Sequence, residues 1–436
     1  MLEFPRIREI LAGYTSFAVS REMAMAIAPS TDAGQISNWL KQSAEARRLL
    51  SIEPDLSIGG VYDIREVVVL AGRGKILELQ SLLDVQRTLS AIRFLQNKLS
   101  RLSDEAPLLA GINKQIVTFP RLEKEIARCI SPSAELLDTA SDRLVELRHI
   151  IKEKRAQILS HLDSIIKSRE GEKLIQEPVI TERDGRYVVL VKVEMRRELK
   201  GIVHDISNTG ATVFVEPMTT VDMGNELKEA VIEEQHEVER ILGELSAAVG
   251  EVEADIIRDL KLIAEIDLAL AKARYADRFR AVEPLVWGVD GGSEGTSDNP
   301  RILRLIKARH PLLKGDPVPL SIEIGRDFQG LIITGPNTGG KTVALKTIGL
   351  LALMAQAGLP VPAAHETCLP VFDSIFADIG DEQSIEQTLS TFSWHMGNIV
   401  RILKESTNKS LVLLDELGTA TDPEEGAALA QSILLH

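Results

Sequence analysis

Apolar residues recur at spacings of three and four through most of the first 175 positions. The run Leu79, Leu82, Leu83, Leu89, Ile92, Leu95 and Leu99 is one example, and that period predicts helices packed on one face. Breaks are expected at Pro29, Pro54 to Gly60, Pro107, Pro120 and Pro132, where proline removes a backbone donor. The pattern changes over 178–217, PVITERDGRYVVLVKVEMRRELKGIVHDISNTGATVFVEP. This stretch is rich in Val, Ile and Thr, with turn signals at Asp184-Gly185, Lys200-Gly201 and Asn208 to Gly210, so it reads as three or four short strands. Residues 218–283 contain no proline. Their nearly continuous stripe from Leu227 and Val231 through Leu242, Leu245 and Val249 to Ile263 and Ile266 predicts one long helix or two, with breaks allowed at Gly243 and Gly250. The acids Glu226, Glu229, Glu233, Glu234, Glu237 and Glu239 read as its solvated face.

The segment GVDGGSEGTSDNP, 288–300, has nothing that can pack and reads as a linker. Strands and helices alternate after it. The expected fold is therefore mainly α followed by α/β: a helical region over 1–177, a small β insert over 178–217, long helices over 218–287, the linker, and an α/β domain over 301–436.

The chain has 436 residues and a formal net charge of −14, with 44% hydrophobic, 26% charged and 4% aromatic residues. That is a globular composition. The acidic balance excludes a surface that is basic throughout, and few aromatics speak against base-stacking platforms. Contact with nucleic acid must come from a local basic stretch. Residues 143–200 hold 14 Lys and Arg against 10 Asp and Glu, and Lys152, Lys154 and Arg155 lie in their densest part. A solvated helical face is the competing explanation. Cys129 and Cys368 are the only cysteines, which excludes a disulfide scaffold and points to the cytoplasm. The eight histidines form no metal-ligand spacing. The N-terminus MLEFPRIREILAG has no signal-peptide core, and the apolar run Ile348 to Ala357 is too short to cross a membrane.

The strongest chemistry lies at LIITGPNTGGKTVALKTIGL, 331–350. Leu331 to Thr334 reads as a short strand, and a helix follows from Val343. Between them Gly335, Pro336, Asn337, Thr338, Gly339, Gly340, Lys341 and Thr342 match GxxxxGK[ST], the phosphate-binding loop. Its glycines let backbone N–H groups converge on phosphate oxygens at a helix N-terminus. Lys341 is expected to reach the β- and γ-phosphates and Thr342 to ligate Mg²⁺. About seventy residues on, Leu411-Val-Leu-Leu-Asp415-Glu416 reads as a buried parallel strand ending in two acids. Asp415 is expected to hold Mg²⁺ and Glu416 to act as general base toward the attacking water. Between these motifs Ser390 and Thr391 read locally as caps of the helix that follows, and His395 as a satisfied surface histidine.

GPNTGGKT, DIGDEQSIEQTLSTFSWHM and LVLLDELGTATDPEEG together resemble the MutS ATPases of the ABC superclass, and the DEQS and STFS wording resembles the second, endonuclease branch of that family. The segments at 63–89 and 185–217 are similar to the same branch, so the resemblance covers essentially the whole chain. It implies a homodimer with two composite ATP sites and Mg²⁺, in which Ser390 and Thr391 belong to the signature that reaches the partner's nucleotide. This displaces their local reading as caps. Asn337 stands where the family has its loop asparagine. The resemblance further implies core, lever and clamp roles for the helical region ahead of an ABC-type P-loop ATPase domain. It implies action on branched or double-stranded DNA, in suppressing homologous recombination, or on the rRNA of collided ribosomes, in splitting them. Ala420 departs from the family, which has a second glycine there. The switch histidine, the coiled coil and the small nuclease-like Smr domain of the family are expected beyond His436, so this reads as a fragment with an incomplete ATPase domain and without the nuclease. The competing function is a mechanical helical scaffold with an idle nucleotide site; Lys341, Thr342, Asp415 and Glu416, all intact, argue against it.

Overall fold

The computed structural model describes residues 1–287, 302–315, 317–335, 340–380, 388–417 and 423–435; for 388–394 and 423 this extends to the backbone only. The expected linker at 288–300, Pro336 to Gly339, the DEQS segment and Ala420 lie outside the described residues. The described chain divides into two compact units, neither continuous in sequence. The first comprises 1–63, 91–118 and 255–436, and the second 64–90 and 119–254.

Helices dominate the amino-terminal part. In order they are α1 (Phe4–Ala12), α2 (Ala18–Ala26), α3 (Ala33–Ile52), α4 (Arg65–Gly72), α5 (Leu79–Arg101), α6 (Pro107–Asn113), α7 (Pro120–Cys129), α8 (Asp142–Ile166) and the single turn α9 (Gly171–Leu174). Pro107 and Pro120 open α6 and α7, where a missing N–H costs no helical bond. Asp32 and Ser141 cap α3 and α8 by accepting from the N–H groups of Gln35 and Leu144.

The β insert is a four-stranded antiparallel sheet in the second unit. Its strands are β1 (Ile175–Arg183), β2 (Arg186–Lys192), β3 (Gly201–Ile206) and β4 (Thr212–Pro217), in the spatial order β1-β2-β4-β3. Asp184 and Gly185 both have positive φ, 50° and 74°, which makes the tight hairpin expected there. The expected turn at Lys200-Gly201 is different: Gly201 begins β3, and a Cβ there would lie 2.3 Å from the Glu216 carbonyl oxygen. The glycine serves close strand approach rather than a reversal. One face of the sheet, with Val189, Val191, Val213 and Val215, packs on Ile151, Ile158 and Leu162 of α8 and on Leu227 of α10 (Val221–Glu251).

The proline-free region forms α10 and α11 (Glu253–Phe279). The break falls at Val252, two residues past Gly250, while Gly243 stays inside α10. The acids of α10 do more than face water. Glu233 pairs with Arg143, Glu234 with Arg148 at 3.0 Å and Glu226 with Lys154, so α8 and α10 run antiparallel with charges matched along their contact. Hydrogen bonds from Arg240 and then Ser141 hold the Glu237 carboxyl down at about 2.

The carboxy-terminal part of the first unit adds β5 (Leu285–Trp287), β6 (Leu303–Ala308), β7 (Leu320–Ile324), α12 (Lys341–Gln356), β8 (Cys368–Pro370), β9 (Ile375–Asp378), α13 (Thr388–Glu405), β10 (Leu411–Leu414) and α14 (Pro423–Leu435). It holds a mixed sheet of order β5-β8-β6-β7 and a separate parallel pair of β10 and β9. The core of this unit gathers Ile7 and Leu11 of α1, Tyr275 of α11, Leu350, Leu351 and Met354 of α12, and Leu413 of β10. No helix among the described residues is long and apolar enough to cross a membrane.

One expected element is missing. Residues 331–334 form no strand. Leu331, Ile332 and Ile333 are 43, 70 and 37% exposed, so their apolar side chains find no layer to cover them. A parallel strand is held by cover on both faces, and hydrophobicity alone does not supply it.

Candidate functional site

The site is built at the C-terminal ends of the parallel pair and the N-terminus of α12. Gly340 caps α12 with φ +79°, a left-handed conformation in which a side chain would be strained. The first helical bond runs from the Ala344 N–H to the Gly340 carbonyl. The amides of Lys341, Thr342 and Val343 are thereby left at the helix mouth, where backbone donors and the helix dipole favour an anion. Lys341 Nζ donates to the Gly335 carbonyl at 2.8 Å, closing back over the start of the loop. Pro336, Asn337, Thr338 and Gly339 lie outside the described residues.

Asp415 follows β10 directly. Its N–H donates to the carbonyl of Asp378, the last residue of β9, at 2.9 Å, so the pairing continues one residue past the end of β10. Its carboxylate oxygen Oδ2 accepts from Thr342 Oγ1 at 2.5 Å. The structure thus brings together the loop threonine and the strand-end acid. Burial of the strand is one-sided: Leu413 is buried while Val412 is exposed. Glu416 sits beside them, exposed, with φ +51°. Such a conformation is uncommon for a residue with a side chain.

The donor set fits Mg²⁺. A threonine hydroxyl and a carboxylate are hard oxygen ligands, they are already adjacent, and a P-loop cation takes its other ligands from phosphates and water.

α13 begins at Thr388, which places Ser390 and Thr391 inside the helix rather than at its cap. Capping needs the non-helical residue at the boundary, so the local reading of these two is corrected. Their side chains lie outside the described residues. His395 is a part-exposed histidine, 32% exposed, and it is satisfied, as expected, by a buried acid. Its Nδ1 is 2.9 Å from Asp378 Oδ2, and Asn398 Nδ2 donates to Asp378 Oδ1 at 2.8 Å. Asp378 is 2% exposed. Sequence reasoning missed Asp378 and Asn398. The signal was present in part: Ile375-Phe-Ala-Asp378 is an apolar run ending in an acid, as is Leu411 to Asp415.

The basic residues singled out on α8 behave differently from one another. Lys154 is engaged by Glu226, whereas Lys152 and Arg155 are exposed.

Residues 331–436 match the family described as MutS domain V. Over 433 residues, 99% of its length, the chain is 46% identical to a protein of Pelotomaculum thermopropionicum named endonuclease MutS2, covering 54% of that protein. It is 43% identical over 438 residues to the protein of that name in a Geobacillus species, and 40% identical over 437 residues to a Bacillus subtilis protein named putative endonuclease MutS2, covering 54% of each. The chain spans about half the length of the curated relatives it matches.

Proposed function

The chain belongs to the MutS family, in the branch of the endonuclease MutS2 proteins, and from that premise we propose that it is the ATP-driven part of a homodimeric clamp acting on nucleic acid. The observation that carries this reading is the hydrogen bond between Thr342 and Asp415, because it joins the two residues that an ATPase of this kind needs at one point. ATP binds with its phosphates against Gly335 to Val343. Lys341, whose Nζ donates to the Gly335 carbonyl, turns to the β- and γ-phosphates. Thr342 and Asp415 hold Mg²⁺, which supplies positive charge against the phosphate oxygens when bound. Glu416 orients and deprotonates the attacking water. Ser390 and Thr391 of the partner complete the site in trans.

The helical region and β insert serve as core, lever and clamp, with branched DNA or ribosomal RNA as the polyanion held. Nuclease activity, which the relatives' name carries, belongs in this reading to the longer protein rather than to residues 1–436.

The test is ATP turnover by the full-length protein and by its Lys341→Ala variant, each with and without a four-way DNA junction or ribosomes. Turnover that Lys341→Ala abolishes, and that one of the two polyanions stimulates, is the expected result. ATP bound but not hydrolysed by the unmodified protein leaves the idle scaffold as the function.

A further inference from the structure

Asp378 stands at a junction. Its main-chain carbonyl accepts from the Asp415 N–H, and its carboxylate accepts from two residues of α13, Asn398 at 2.8 Å and His395 at 2.9 Å. The donor role is assigned to His395 Nδ1, the pairing in which the acid acts as acceptor to both side chains of α13. The ring is further held by Gly380, where a Cβ would lie 3.0 Å from His395 Cε1. On the helix, positions 391, 395 and 398 share one face, so Thr391 stands one turn before the anchored histidine.

A simple packing contact between β9 and α13 has no need of a buried carboxylate. Taking an acid to 2% exposure costs solvation, which apolar contact would avoid. What the carboxylate adds is direction: two bonds of fixed geometry to one helix, and through its own backbone a third to the residue that accepts from Thr342. The connected path is Thr342, Asp415, Asp378, then His395 and Asn398, and it ends on the helix that carries Ser390 and Thr391.

Building on the ATPase reading above, we propose that Asp378 is a positioning residue that ties the signature helix to the strand holding Asp415. Through it, occupancy of one protomer's nucleotide site sets how that protomer offers Ser390 and Thr391 to its partner. Asp378, His395 and Asn398 touch neither nucleotide nor water in this role; they act through α13.

The test uses mixed dimers of the full-length protein, purified through two different tags. In the Asp378→Asn homodimer we expect affinity for an ATP analogue to be retained while turnover falls about tenfold or more, the usual scale for losing a residue that orients a ligand-bearing one. Paired with a Lys341→Ala protomer, the Asp378→Asn protomer supplies the one working nucleotide site and takes its signature from an intact link. Turnover then recovers to that of the unmodified protomer paired with Lys341→Ala. The reciprocal dimer, a protomer with both substitutions and an unmodified one, stays slow. Wild-type turnover in the Asp378→Asn homodimer overturns the inference, as does a mixed dimer that fails to recover or a joint loss of ATP affinity and turnover. Where Asp378→Asn lowers the yield of folded dimer, His395→Gln carries the same test, since that side chain is 32% exposed and its loss leaves the Asn398 bond in place. An unmodified protein without ATP turnover removes the ATPase reading, and this inference with it; the two failures are told apart by that control.

Discussion

Thr342 Oγ1 and Asp415 Oδ2 lie 2.5 Å apart although 73 positions separate them in sequence. Two elements have to be fixed for that meeting. α12 presents its second residue at the helix mouth, and β10 delivers Asp415 past the end of its parallel pairing with β9. The contact therefore reports the register of the whole site, not a local turn.

Replacing Thr342 by valine removes the hydroxyl and keeps the shape. Affinity for ATP with Mg²⁺ is expected to fall about tenfold or more, while affinity measured in excess chelator stays unchanged. Titration calorimetry under both conditions checks this. An equal loss with and without Mg²⁺ assigns Thr342 to the shape of the loop and not to the cation.

Glu416 holds a left-handed backbone, φ +51°, directly after the acid that contacts Thr342. Non-glycine residues in that region cost roughly 1–2 kcal/mol and are retained where surrounding structure requires them, often at functional sites. Glu416→Gln keeps the backbone preference and removes the carboxylate proposed as the base. We expect bound ATP at wild-type affinity and single-turnover hydrolysis slowed by about a hundredfold or more, the lower range for a lost general base. Hydrolysis at the wild-type rate moves the base elsewhere.

What the sequence revealed follows from how local each signal is. Pro107 and Pro120 mark helix starts because the constraint acts within one residue. The GxxxxGK[ST] pattern stands out because its fixed positions lie within eight residues, each with its own chemical reason. The α8–α10 ion pairs were hidden because Arg143 and Glu233 are 90 positions apart and only packing brings them together. The Asp378 junction was hidden for the same reason: its partners are 17 and 20 residues on, in another element, and nothing in the spacing says which acid meets which helix. Residues 331–334 show the converse error. Their composition favours a strand, yet a strand also needs a neighbour and cover, and composition carries no information about either.

Asp259 on α11 offers a test by pH. It is 1% exposed; Oδ2 accepts from the Val117 N–H at 3.1 Å, and Oδ1 accepts no hydrogen bond, with the Arg258 guanidinium 3.7 Å away. Burial pushes its carboxyl up to about 6 from an ordinary 3.8, against the smaller lowering effects of the Val117 bond and Arg258. The folded state thus holds its proton more tightly than the unfolded chain does. Its contribution is intact below pH 3.8 and is lost as pH rises through 6. Asp259→Asn, which still accepts from Val117, should leave the melting midpoint unchanged near pH 4 and raise it at pH 8, with a gain of about 3 kcal/mol at most. Melting curves across that range check it. A gain of equal size at both pH values shows that the charge is not its source.

Lys152, Lys154 and Arg155 are close in sequence, but they are not equivalent as contacts for a polyanion. Lys154 is committed to Glu226, and reversing its charge removes an α8–α10 pair along with any bond to phosphate. Lys152 and Arg155 are exposed and can meet phosphate without giving up such a pair. Lys152→Glu with Arg155→Glu is therefore expected to weaken binding to a DNA junction or to ribosomal RNA with the protein's melting temperature unchanged. The slope of log affinity against log salt should become shallower by about 0.7–0.9 for each phosphate no longer neutralised, so up to about two units for both. Lys154→Glu should lower the melting temperature as well, which separates its two roles. Binding measured from low to moderate salt for the unmodified protein and these two variants decides it: an unchanged slope in the double variant takes the polyanion away from this face of α8.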